Sequence, residues 1–67
     1  MQLITKVKEF MNKFRQHNDS IDFIWVEIYP DESCAIEAAN ITGNGSDTIF
    51  SFCDLLELED FIDKWEW

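Results

Sequence analysis

Apolar residues open the chain at Leu3, Ile4, Val7, Phe10, Met11 and Phe14, the i, i+1, i+4, i+7, i+8, i+11 series of one helical stripe. At about 100° per residue, Lys6 and Lys13 border one side of that stripe, and Lys8 and Arg15 border the other. Long cationic side chains in such places lay their stems along apolar surface and keep the charge wet. The spacing therefore predicts a helix near residues 2–16 lying as a lid on a sheet. The polar run "QHNDS" ends it, with turn-forming residues and no further period.

The pattern then shortens. "IDFIWVEIY" is rich in β-branched and aromatic residues and is closed by Pro30, which reads as a strand. "PDES" is a tight turn, "CAIEAANI" a returning strand, "TGNGS" a glycine-bearing hairpin loop and "DTIFSFC" a third strand. Such short connections favour antiparallel neighbours and a three-stranded meander. With Ile24, Val26 and Ile28 inward, the first turn sets them opposite Ala38, Ile36 and Cys34. The second loop is expected to set Ile36 and Ala38 opposite Phe52 and Phe50.

Asp54 and Glu57 form a D-x-x-E cap for a closing helix near residues 54–65, whose core stripe is Leu55, Leu58, Phe61, Ile62 and Trp65. The expected architecture is thus α+β, in the order α-β-β-β-α, with both helices on one face of the meander and residues 1–67 forming a single domain. The other sheet face would show Phe23, Trp25, Glu27 and Tyr29, then Ala35, Glu37 and Ala39, then Ile49 and Ser51. No element is left to cover it. Two readings stay open: an interface with a second copy or a partner, centred on Phe23, Trp25, Glu27, Glu37 and Ile49, or aromatics folded over Ala35 and Ala39.

Composition sharpens this picture. Sixty-seven residues approach the lower limit for an unstapled core, and an apolar fraction of 46% argues for a compact fold over disorder. Cys34 and Cys53 are too few for a disulfide framework and lack metal-ligand spacing, so they read as small buried or half-buried thiols. No signal-like or membrane-length apolar run is present, which makes cytoplasm the expected compartment. Met1 and Trp67 read as natural ends of a small reading frame.

The net charge of −9 is unevenly spread: residues 1–16 carry +3, whereas residues 17–67 hold thirteen acids against Lys64 alone. Such a surface repels nucleic acid and anionic membrane and attracts basic protein. Enzymatic chemistry finds little purchase. His17, the single histidine, follows a helix end without a serine or cysteine placed for a triad. "GNG" lacks the length and lysine of a phosphate loop, and "HNDSID" lacks the glycine and terminal glutamate of a calcium loop. The expectation is a non-enzyme with no cofactor and no metal.

The acids of the closing helix have a sharper reading. Glu59, Asp63 and Glu66 fall at i, i+4, i+7, stepping along the axis by about 4.5–6 Å, a scale similar to the phosphate rise of about 3.4 Å along a DNA strand. A groove of Lys and Arg built for phosphates would accept them. Asp31 and Glu32, in the first turn, are expected at the sheet end where Asp54 begins the helix. The alternative is a solvated face with some acids paired to Lys6, Lys8, Lys13 or Arg15.

In size, charge and element order, the whole chain resembles the small acidic phage-encoded inhibitors, especially anti-CRISPR proteins that occupy the DNA-binding site of a Cas nuclease as DNA mimics. The resemblance implies a phage or mobile-element origin, action in the host cytoplasm and a nucleic-acid-handling target.

The reading that follows is an inhibitor binding the basic nucleic-acid groove of a host protein such as a Cas nuclease. Its contacts would be Glu59, Asp60, Asp63 and Glu66, supported by Glu57, Asp31 and Glu32, with Leu56 and Trp67 as apolar edges. The alternatives are a regulatory module dimerising through the outer sheet face, or an antitoxin for a basic toxin.

Overall fold

A computed structural model describes residues 2–43 and 45–67. Met1, the expected natural start, and Asn44, in the second hairpin loop, lie outside the described residues. The elements run α1 (Leu3–Gln16), β1 (Phe23–Ile28), β2 (Cys34–Ala39), β3 (Asp47–Phe52) and α2 (Leu55–Lys64). The strands form one antiparallel sheet in the order β1-β2-β3. The α-β-β-β-α order and the α+β class are those the hydrophobic pattern predicts.

Both helices pack on the same sheet face, although Ile4 and Leu55 of their expected stripes are left exposed because they lie at the edge of the α1–β1 groove. Val7, Phe10 and Leu58 meet Cys34, Ile36 and Phe52 in the core, with Ile24, Val26 and Phe50 packed around them. Phe52 is buried, whereas Phe50 is only half-buried. Lys6 meets Glu59 and Asp63, and a turn further on Phe10 meets Phe61 and Trp65, so α1 and α2 run in the same direction. Seven aromatic rings (Phe10, Phe14, Phe50, Phe52, Phe61, Trp65, Trp67) interlock where the helices end. Edge-to-face contacts of this kind add to area burial, which is how so short a chain holds a core without staples.

The start of α2 is capped as the D-x-x-E spacing predicts. The Glu57 backbone N–H donates to Asp54 Oδ1 at 2.8 Å, while the Glu57 carboxylate accepts from the Cys53 N–H at 3.2 Å. The first hairpin also has the predicted register, Ile24↔Ala38, Val26↔Ile36 and Ile28↔Cys34. Its turn closes through Glu32 N–H to the Tyr29 carbonyl and Tyr29 N–H to the Ser33 carbonyl. Glu32 takes the left-handed position, φ 74°, that completes such three-residue loops.

The second hairpin corrects the expected register. Cys34 and Ile36 face Phe52 and Phe50, a slide of two residues, and a bulge after Ile36 brings Thr48 opposite Glu37 and Asp47 opposite Ala38. A slide of two leaves every residue on its face, so the core is unchanged, while the bulge adds one residue to β3. That extra residue is not visible in hydrophobic alternation.

Candidate functional site

The acids predicted to bind a partner divide into two groups. Glu59 and Asp63 turn toward α1, where the Lys6 ammonium bridges them at 3.3 Å and 3.1 Å. Asp60 pairs with Lys64 one turn along α2 at 3.0 Å. The expected free ladder Glu59–Asp63–Glu66 is therefore broken, because α1 packs beside α2 and brings a cation to its flank. The two carboxylates hold the Lys6 ammonium above its ordinary pKa, Asp63 foremost. Among the described residues, Glu66 is the ladder member without an ion-pair partner, and Leu56 stands 75% exposed on the same helix.

The second group forms a corner at the turn end of the sheet. Asp31 and Glu32 lie in the β1–β2 turn, three and two residues before Cys34. The Cys34 thiol reaches the Asp54 carbonyl at 3.6 Å, which brings the α2 N-terminus, with Asp54 and Glu57, to the same end. Burial, then the charges of Asp54 and Glu57, push that thiol above its ordinary pKa. Asp31 accepts from the Ser33 hydroxyl at 2.6 Å and the Ser33 N–H at 3.1 Å, and those bonds hold its carboxyl below the ordinary value. The exposed Cys53 thiol sits in this corner too, raised by its hydrogen bond to Glu57. None of these four acids has an ion-pair partner among the described residues.

The outer sheet face differs from expectation at its centre. Phe23, Glu27 and Tyr29 are exposed, and Trp25 and Ile49 are half-buried. Glu37, however, is only 5% exposed, and Ala35 is buried beside it. Glu37 accepts hydrogen bonds from the hydroxyls of Thr48 and Ser46, so its charge is engaged within the sheet and is not displayed. The bulge supplies Thr48 for this purpose, and alternation alone gives no sign of it. Tyr29 donates to Glu27 at 3.3 Å.

Elsewhere, His17 ends α1 as expected, donating to the Lys13 carbonyl at 2.8 Å and packing on Trp67, over which Lys13 also lies. Among the described residues, no three His, Cys, Asp or Glu side chains converge as a metal site, and no helix is long and apolar enough to cross a membrane. Comparison with family models, with curated proteins and with solved structures found no match for this chain.

Proposed function

We propose that the protein is a non-enzymatic acidic binder that occupies a basic, nucleic-acid-binding groove of a host protein and excludes the nucleic acid. One observation carries the reading: all five cations lie in α1 or at Lys64, so residues 17–63 meet a partner with acids alone. The corner of Asp31, Glu32, Asp54 and Glu57 supports it as the leading contact, because the Asp31, Asp54 and Glu57 carboxylates are ordered by hydrogen bonds and, among the described residues, none of the four is paired to a cation. Carboxylates held in this way approach lysine and arginine at little ordering cost. Glu66 and Leu56 extend the surface along α2, with Glu59, Asp60 and Asp63 as weaker contributors. The action is by occupancy in the cytoplasm.

The test is competition with duplex DNA on basic effectors such as guide-loaded Cas nucleases. Mutual exclusion of DNA and this protein is expected, with association that slows as salt rises. A stable complex of effector, DNA and this protein together would end the reading.

A further inference from the structure

Strand β1 is an open edge of the sheet, and it is unusually bare for one. Exposed edges are ordinarily blunted by lysine, proline, a bulge or a covering element. The other edge, β3, follows that rule: a bulge interrupts its pairing with β2. Strand β1, "FIWVEI", has a regular register over all six residues, with neither lysine nor proline.

Beside this edge runs an apolar groove of about 530 Å³ between α1 and β1, lined among others by Ile4, Val7, Met11, Ile24, Ile28 and Leu55. Ile4 is 64% and Ile28 62% exposed, although Ile28 belongs to the inward-facing set of the sheet. Among the described residues, Lys8 is its one charged lining residue. A small-molecule site would need convergent polar groups to orient a ligand, and this lining does not supply them. The occupant has to bring a strand and apolar side chains together.

We infer that β1 pairs with β1 of a second copy of this chain, antiparallel and in one register, joining two sheets into six strands and closing the two grooves against each other. The backbone decides the register. The Tyr29 N–H bonds to the Ser33 carbonyl just before β2, in line with the β1–β2 pairs, so by alternation Ile24, Val26 and Ile28 turn their N–H and C=O groups to the free edge. Two such edges exchange hydrogen bonds only between these same positions. Placing the two-fold at Val26 opposes Val26 to Val26 and Ile24 to Ile28, using all three residues of both copies. Sliding by two in one sense would set Pro30, which has no N–H, against Ile24. Sliding in the other sense would set Asp22 against Ile28, although the Asp22 N–H is already given to the Ala39 carbonyl.

Side chains agree with the backbone. The same register places apolar against apolar on the groove face, and on the other face Trp25 against Glu27, so the two Glu27 carboxylates never oppose each other. The arrangement is self-complementary, as a two-fold interface requires. Its opponent is net charge, since each copy carries −9. Added salt should therefore tighten the dimer, the opposite sign to docking on a basic groove.

The experiment is sedimentation or light scattering of the whole chain at low and high salt, with amide exchange measured alongside. A dimer that tightens with salt is expected, together with slow exchange at the amides of Ile24, Val26 and Ile28 that appears only as the chain dimerises. Ile28→Glu alters a side chain already exposed in the monomer and should raise the dimer dissociation constant about tenfold or more, with the fold kept. Leu56→Glu should leave it unchanged. A monomer at millimolar concentration in high salt would overturn the inference. So would a dimer indifferent to Ile28→Glu, or one in which those three amides still exchange freely.

Discussion

The Lys6 ammonium stands 3.1 Å from the Asp63 carboxylate, joining the first turn of α1 to the last turn of α2. Glu59 shares the same ammonium, so the acids best spaced to resemble phosphates also clasp the two helices. Reversing Glu59 and Asp63 to lysine should lower the melting temperature more than reversing Glu66, because it gathers three cations where one was bridged. If all reversals melt alike, the bridge contributes nothing to the fold. The pH dependence has a definite sign. Lys6 has its pKa raised on folding, so its contribution is complete below the ordinary lysine value of 10.5 and fades as pH climbs through the higher folded value. Alkaline melts of Lys6→Met should lack that part of the decline.

Glu32 sits at φ 74°, where a side chain costs free energy that glycine avoids. Glu32→Gly should stabilise the protein by about 0.5–1 kcal/mol in urea unfolding, the strain relieved being partly offset by glycine's freedom in the unfolded chain. If Glu32 also meets a basic partner, the same variant binds more weakly while melting higher. An unchanged affinity would remove Glu32 from the contact surface.

Phe52 lies under α2, buried against Phe61 and opposite Cys34. Phe52→Ala should cost about 3–5 kcal/mol, the range for large core truncations. In a chain this short that approaches the whole stability, and circular dichroism should show partial or complete unfolding at room temperature. Retention of the parent's cooperative melt would mean the core does not depend on this ring.

The two thiols should separate by reactivity. Cys53 is exposed and Cys34 buried, and both have raised pKa values. Near neutral pH a thiol-specific reagent should label Cys53 slowly and Cys34 only on unfolding. The Cys53 rate should climb with pH beyond the point where a free cysteine has levelled off. Glu57→Gln should accelerate it by removing the charged partner.

Hydrophobic period carried the element order, both helix faces, the α2 cap and the first hairpin register, because each of these is local in sequence. What it could not carry came from contacts made after the elements assemble. The second register slid by two because β2 ends at Ala39 and leaves residues 40–46 to the loop, a slide of three that the one-residue bulge after Ile36 reduces to two, and beyond that bulge Thr48 bonds to buried Glu37. The Lys6 bridge depends on which flank of α2 faces α1, a rotation that both stripes leave undetermined. Ile28 was legible as inward-facing, yet its exposure follows from how far α1 extends over β1, which no spacing records.

The confinement of cations to the helical layer also has a consequence for approach in solution. Residues 1–16 carry +3 and the remainder −12, so the molecule has an electric dipole as well as a net charge. Within about 8 Å of a cationic surface, where screening no longer dominates, that dipole exerts a torque turning α1 away and the acid-rich remainder toward the surface. Orientation is then set before contact, and an encounter starts from a narrowed set of poses instead of a blind rotational search.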